Sequence, residues 1–190
     1  TGTLRWNHVF NNKLFGNTTA VYNDYNFTFN ALQNDFELKL ASGIRDLSLK
    51  QDFDLYPYTG HKLKFGGIYT YHKFTPSIVS GKQDSTVFKP NNAQIKYGHE
   101  AGLYLQDDWE INEKIKIHAG LRYSWFQQTG PYKIYQKDDN GNRTDSTVFG
   151  KGRAVKTYGG LEPRFTVRYA LDDETSVKTS VTKNFQYIHL

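Results

Sequence analysis

The sequence predicts an all-β protein, an antiparallel transmembrane β-barrel segment of about eight strands. Three observations predict it. Polarity alternates with a period of two in most segments long enough to be strands. Those segments are longer than the strands of ordinary soluble sheets. Their connections alternate between short turns and longer, variable loops. The clearest strand is Lys114–Trp125. Ile115, Ile117, Ala119, Leu121, Tyr123 and Trp125 hold one parity, while Lys116, His118, Gly120, Arg122 and Ser124 hold the other. A period of two puts these sets on opposite faces of a strand. A greasy face backed by a charged one suits a sheet with lipid on one side and water on the other.

The first strand spans about Thr1–Phe10, with Leu4, Trp6, His8 and Phe10 on one face and Thr3, Arg5 and Asn7 on the other. Asn11-Asn12-Lys13 forms a hairpin turn. The second strand, about Leu14–Phe29, places Phe15, Thr19, Val21, Tyr25, Phe27 and Phe29 on the apolar side, opposite Gly16, Thr18, Ala20, Tyr22 and Asp24. Asn30–Asp35 is a polar connection. The third strand, about Leu40–Tyr56, sets Leu47, Leu49, Phe53 and Leu55 against Asp46, Ser48, Lys50, Asp52 and Asp54. Pro57-Tyr58-Thr59-Gly60 turns the chain. The fourth strand, about His61–Phe74, carries Leu63, Phe65, Tyr69 and Tyr71 on one side, and Pro76 ends it. Ser77–Lys96 is a longer polar connection.

The fifth strand, about Tyr97–Ile111, aligns Leu103, Leu105, Trp109 and Ile111 opposite Tyr104, Gln106, Asp108 and Glu110. Asp107 interrupts its apolar side near one end, where a membrane surface tolerates a carboxylate. Asn112-Glu113 turns into the sixth strand, Lys114–Trp125. Gln127–Thr157 is the longest connection, and Asp138–Asn142 inside it is a strong turn signal, so it folds as its own small hairpin. The seventh strand, about Tyr158–Leu171, sets Leu161, Pro163, Phe165, Val167, Tyr169 and Leu171 against Glu162, Arg164, Thr166 and Arg168. Asp172-Asp173-Glu174 leads to the eighth, with Val177, Thr179, Val181, Phe185 and Tyr187 at the apolar parity and Lys178 and Ser180 opposite.

Hydrophobic residues make up 37% of the 190-residue chain and aromatics 16%. With a mean hydropathy of -0.70, this composition argues against a large aliphatic core. It suits strands that are half apolar and interfaces girdled by aromatics. No apolar run reaches the length of a membrane-crossing helix. Cysteine is absent, which excludes disulfides and thiolate-bound metal. The charge of +5 is spread along the strands and forms no basic patch, so no nucleic-acid partner is expected. The chain starts and stops inside strand patterns, which reads as a piece of a longer polypeptide.

Short turns follow the first, third, fifth and seventh strands. Outer-membrane barrels have short periplasmic turns and longer extracellular loops. The asymmetry orients the sheet and predicts two aromatic belts. Trp6, Phe10, Phe15, Tyr56, Phe65 and Trp109 fall near the lower interface; Phe27, Phe29, Tyr71, Trp125, Phe185 and Tyr187 fall near the upper one.

The run Leu103-Tyr104-Leu105-Gln106-Asp107-Asp108-Trp109-Glu110-Ile111, its turn, and Lys116-Ile117-His118-Ala119-Gly120-Leu121-Arg122-Tyr123 resemble a hairpin of TonB-dependent outer-membrane receptors. Ser124 stands where that family often has Asp. Leu161-Glu162-Pro163-Arg164 resembles another family hairpin. The ending Asn184–Leu190, with Ser42–Tyr56 and Lys62–Pro76, is similar to Bacteroidetes-type receptors. The resemblance implies a barrel of about 22 strands with an N-terminal plug, of which this chain is a partial barrel domain without the plug. It implies active uptake across the bacterial outer membrane of a scarce nutrient, whether an iron chelate, a cobalamin or an oligosaccharide, driven by TonB. The partners it implies are outer-membrane lipid and lipopolysaccharide, a small-molecule solute, a surface lipoprotein, and TonB through the missing N-terminal part. It implies no enzyme activity and no cofactor.

Inward parity makes Lys116, His118, Arg122, Glu162, Arg164 and Arg168 candidate lumen-lining or solute-contacting residues, alongside Arg5, Lys50, Asp52 and Lys178. Opposite charges on adjacent strands also pair with one another or with a plug. Tyr132 and Tyr135 in the longest loop are candidates for stacking on a solute, or for packing their own hairpin. His72, His99 and His118 form no zinc spacing, though all three could converge on the lumen. Ser180 and His118 share a parity that a Ser–His pair would need. Asp138–Asn142 lacks the spacing of a calcium loop. Two other readings stay open. A complete small outer-membrane barrel requires the first strand to pair with the eighth. A soluble sugar-binding β-sandwich requires the apolar faces to be buried.

Overall fold

A computed structural model of the chain describes residues 1–33, 36–83, 86–88 and 94–187. Eight long strands form one antiparallel sheet: β1 (Gly2–Asn11), β2 (Leu14–Gln33), β3 (Phe36–Leu55), β4 (His61–Gln83), β6 (Lys96–Glu110), β7 (Ile115–Thr129), β10 (Ala154–Ala170) and β11 (Ser176–Thr182). The short β5 (Thr86–Phe88) pairs with the end of β4. A separate hairpin of β8 (Tyr132–Lys137) and β9 (Arg143–Phe149) stands where the longest loop was expected to fold on itself. The spatial order is β1-β2-β3-β4-β6-β7-β10-β11. β1 pairs only with β2 and β11 only with β10, so the sheet is open. The complete small barrel is thereby excluded for the described residues.

Among the described residues no second layer covers the apolar face. Leu103 is 68% exposed and Val181 73%, and Phe126 is the single buried large hydrophobic among the described residues. A sandwich would bury that face, so the soluble reading fails. Thr19, Asp52, Thr70, His72, Ser124 and Glu162 are instead buried on the charged face. From Ile115 to Trp125 the apolar face of β7 runs about 33 Å at about 3.3 Å per residue. A tilt of about 40° reduces this to about 25 Å of height, the apolar band of an outer-membrane barrel. Ionic contacts bound the band. At one end Arg45 donates from both Nε (2.9 Å) and Nη2 (2.6 Å) to Asp24. At the other, Asp107 meets His61 at 2.7 Å, and His61 stacks on Trp109. The carboxylate that interrupted the apolar side is thus partnered at the band's edge.

The turns at that second end share one device. Asn11, Asn112 and Asp172 each turn a side-chain oxygen onto the N–H groups two and three residues ahead, at 2.9 and 3.0, 3.0 and 2.8, and 2.9 and 2.6 Å. Such Asx turns replace hydrogen bonds that the ladder cannot supply where it reverses. The remaining turn uses Gly60 at φ +85°. A side chain there would also strike the Glu110 carbonyl, which lies 2.8 Å from the Cβ position.

The register corrects several expectations. In β2, Gly16, Thr18, Ala20 and Tyr22 lie opposite Phe53, Gln51, Leu49 and Leu47, so the even residues face lipid. Phe15, Thr19, Val21, Tyr25, Phe27 and Phe29 therefore lie on the charged face, the reverse of the expected assignment. The aromatic belts shrink accordingly. Trp6, Phe10, Phe65 and Trp109 keep the lower belt, and Tyr71 and Trp125 keep the upper. Phe15 packs edge-on against Tyr56 on the charged side. Pro76 does not end the fourth strand: Thr75 pairs with Gly43 and Ile78 with Ala41, leaving Pro76 in the irregularity between them, where its missing N–H breaks no ladder bond. β2 also continues to Gln33 through much of the expected loop, and positions 34–35, 84–85, 89–93 and 188–190 lie outside the described residues. β11 stops at Thr182, so Phe185 and Tyr187 leave the sheet.

Leu103→Lys, four residues inward of Asp107 on the apolar face, is expected to destabilise the folded protein by about 2–4 kcal/mol. Thr166→Glu on the charged face is expected to change it by under about 0.5 kcal/mol. Urea titrations of the protein folded into lipid vesicles measure both. The Asp172 carboxyl is held below the usual carboxylate range, first by the Glu174 N–H and then by Thr175. A depressed folded value means that this turn's stabilisation is full above the ordinary carboxylate range and is lost as pH falls through the folded value. An NMR titration of the Glu174 and Thr175 amides should show that transition, and Asp172→Asn should abolish it.

Candidate functional site

Parity and register together arrange the charged face in rows that cross the strands. One row reads Asp54, Lys64, Gln106, Gly120, Arg164; the next reads Asp52, Gly66, Tyr104, Arg122, Glu162. Glu162 is 4% exposed. Its Oε1 accepts the Ser124 hydroxyl at 2.8 Å and the Phe185 N–H at 3.1 Å. Its Oε2 faces Arg122 at 3.6 Å and Arg164 at 3.9 Å. Four donors or cations around one carboxylate offset the cost of desolvating it.

The network continues across the sheet. Arg122 reaches Glu100 at 4.0 Å, His72 Nε2 lies 3.5 Å from Glu100, and His72 Nδ1 lies 2.8 Å from Asp46. The guanidinium lies flat over Gly102: a Cβ there would come within 2.8 Å of Nη2. A second group joins Asp52 to Lys50 at 2.9 Å and to the Tyr104 hydroxyl. Nearer the short turns, Lys116 meets Glu110 and His118 Nδ1 meets Asp108, each at 2.5 Å. Arg168 Nε donates to the Ser176 hydroxyl at 3.3 Å.

All six sequence candidates on the strands therefore share one face, in two clusters. Arg122, Glu162 and Arg164 surround the buried carboxylate. Lys116, His118 and Arg168 line a cavity of about 570 Å³ by the short turns, together with Lys62, Glu110 and Lys178. Tyr132 and Tyr135 belong to neither. They sit on the β8–β9 hairpin, where Tyr132 lies opposite Phe149 and the Arg143 guanidinium covers the Tyr135 ring at 4.2 Å. Gln94 fixes this hairpin by accepting from the Lys133 N–H and donating to the Lys133 carbonyl, at 2.7 and 3.0 Å. Asp138 folds the hairpin tip as a tight turn, accepting N–H bonds from Asn140 and Asn142.

Two combinations considered from parity do not form. His99 lies on the apolar face against the Tyr69 hydroxyl at 2.6 Å, away from His72 and His118. Ser180 accepts from Thr166, and His118 is held by Asp108. Among the described residues no set of three acidic or histidine side chains is placed to hold a metal ion.

Sequence reasoning missed the segment after β11. Lys183 N–H bonds the Pro163 carbonyl at 3.0 Å, and the chain then crosses the charged face. Phe185 lies over Gly160, where a Cβ would come within 2.5 Å of its ring. The Tyr187 hydroxyl lies 2.7 Å from Ser124 Oγ, and its ring stacks on Phe126 and near Tyr158. These rings help line a cavity of about 560 Å³ at the end of the face away from the short turns, with Tyr25, Phe27 and Phe74 across from them.

A family model described as "TonB dependent receptor-like, beta-barrel" matches residues 1–187. The chain belongs to that family. Its place is therefore the bacterial outer membrane, its apolar face is the lipid face and its charged face is the lumen face. Two crystal structures share the fold. The ferric citrate transporter FecA in the unliganded form is 12% identical over 90% of this chain and 25% of that one, with a TM-score of 0.62. The ferric-catecholate import receptor Fiu from E. coli K12, in an open form, is 16% identical over 95% of this chain and 34% of that one, with a TM-score of 0.57. The chain thus spans about a quarter to a third of the length of these receptors. No curated protein sequence matches it.

Glu162→Ala is expected to cost about 1–3 kcal/mol, the range for leaving buried hydrogen-bonding groups unpaired, because Ser124, Phe185 and both guanidinia lose their shared acceptor. Urea unfolding in vesicles measures the loss. The Phe185 amide, which loses its acceptor, should then exchange faster.

Proposed function

We propose that this chain forms wall, lumen lining and loops of an active transporter that takes up a scarce nutrient through the outer membrane, with energy supplied through TonB. The observation that carries the reading is the division of one continuous sheet into a bare apolar face of membrane height and a lumen face of rows of paired charge. A sheet so divided separates lipid from a wet interior. Among the described residues the acids of the lumen-face strands are engaged with cations, hydroxyls or backbone N–H groups, as in a lining that solute passes. The reading is of a transporter and not an enzyme.

Among iron chelates, cobalamins and oligosaccharides, an iron chelate is favoured. The two structures that share the fold are named for ferric citrate and ferric catecholate. The excess of cations over acids in the chain supports an anionic solute in the same sense. The contact surface we assign to it is the aromatic cavity at the loop end, with the β8–β9 hairpin above it. Lipopolysaccharide around the apolar face and a surface lipoprotein at the loops complete the proposed setting. Cells carrying the receptor in the outer membrane are expected to accumulate radiolabelled ferric citrate or a ferric catecholate when TonB is present, and not when it is lacking. Equal accumulation in both backgrounds, or uptake of cobalamin or an oligosaccharide in place of both chelates, overturns the proposal.

A further inference from the structure

Three cations stand directly opposite one another at the turn end of the lumen face. Lys116 pairs in register with Arg168, and Arg168 with Lys178. The side chains of such pairs project to the same side from adjacent strands, and like charges placed so repel. One carboxylate relieves the row: Glu110, in register with Lys116, meets it at 2.5 Å. Among the described residues no carboxylate lies within ion-pair distance of Arg168 or Lys178, and Arg168 makes its hydrogen bond to a neutral hydroxyl, Ser176 Oγ. Asp173 and Glu174 of the adjoining turn make no ion pair with the row, and two other acids nearby are committed elsewhere. Asp108 holds His118, and Asp172 accepts the turn N–H groups of Glu174 and Thr175. Other cations of this face sit beside acids, Lys50 beside Asp52 and Arg122 beside Glu162. A ladder of three cations with one counter-charge departs from that pairing.

The row also opens on space. Lys116, Arg168 and Lys178 line the cavity of about 570 Å³ together with Lys62, Asp108 and Glu110. That volume lies in the range of small-ligand sites. A guanidinium between two ammonium groups presents a planar pair of donors flanked by two point charges, an arrangement suited to carboxylate or phosphate oxygens.

We propose that the Lys116–Arg168–Lys178 ladder is an oxyanion site at the periplasmic end of the lumen, taking the carboxylate or phosphate groups of a small anionic solute. It rests on the transport reading and adds a second station to it, far from the aromatic cavity at the loop end. An anion there relieves the repulsion among the strands, and a position reached through the lumen makes the contact transient, with affinity that falls as salt screens it.

The test uses the receptor purified in detergent, with citrate and inorganic phosphate as probes and glucose as the neutral control, read by titration calorimetry. Citrate or phosphate is expected to bind with salt-sensitive affinity, and glucose is not. Arg168→Gln with Lys178→Gln is expected to weaken anion binding about tenfold or more, from the loss of two charge-assisted contacts. Arg168→Lys with Lys178→Arg, which keeps both charges, is expected to retain binding within a few-fold of native. Lys178→Gln alone, at an exposed position of β11, should give an intermediate loss and guards against misfolding of the double variant. Absence of anion binding by the native receptor, as when an acidic side chain of the receptor itself already occupies the ladder, overturns the proposal. So does equal binding by the native and double-Gln proteins. The two readings fail separately. TonB-dependent chelate uptake with unaltered anion binding removes the ladder site alone. Loss of anion binding in the double variant of a receptor that takes up no chelate removes the iron assignment alone.

Discussion

Backbone hydrogen bonding inside hydrocarbon is the constraint on which the rest of this structure depends. A strand in lipid has no water to satisfy its N–H and C=O groups, so each must find them on a neighbouring strand. Pairing runs without interruption from Gly16 to Leu32 in β2 and from Tyr169 to Lys156 in β10. Once that ladder is formed, every side chain is committed to one face or the other. The Asx turns at Asn11, Asn112 and Asp172 serve the same constraint at the points where the ladder reverses.

The lumen face follows from it. Charged side chains forced onto one side of adjacent strands lie close enough to pair directly or diagonally. The Asp46–His72–Glu100–Arg122–Glu162 series uses both routes. Asp46 and His72 are in register, and Arg122 and Glu162 are in register. Arg122 reaches Glu100 across the gap left by Gly102. The small residue and the long one are complementary parts of one contact, and neither explains the other's position alone. Gly160 and Phe185 repeat the arrangement with an aromatic ring.

Most of this was legible in the sequence where a strand carried its own contrast. β7 and β10 alternate cleanly, and Lys116, His118, Arg122, Glu162, Arg164 and Arg168 lie on the expected face. β2 was not legible because its contrast runs the wrong way. Its lipid-facing residues Gly16, Thr18 and Ala20 are small, and Phe10 and Phe53 close over Gly16 from the neighbouring strands. Its bulky residues Tyr25 and Phe27 face the lumen, where they line the aromatic cavity. Polarity within a strand says that its two faces differ; the partner's register says which is which. Pro76 misled for a related reason, since a bulge absorbs a residue that cannot donate. The inward crossing at Lys183–Tyr187 had no local signal, because Val181, Phe185 and Tyr187 continue the strand parity. Its cause is long-range: the acceptor Oε1 of Glu162 and the bare backbone at Gly160 lie on another strand.

The same rows order the lumen face by height. Aromatic rings occupy the end near the long loops, compensated ion pairs the middle, and excess positive charge the end near the short turns. Because each row is a set of residues in direct register, this order cannot be changed one strand at a time. Moving a single strand by two residues would keep its apolar side in lipid but carry Glu162 away from Arg122, or Lys116 away from Glu110. The alternation alone permits such shifts, since any even displacement preserves parity. The ionic rows penalise them. Ion pairing on the lumen face thus selects among the registers that the lipid face leaves equivalent. The charges that line the lumen face are also the ones that hold the wall in its alignment.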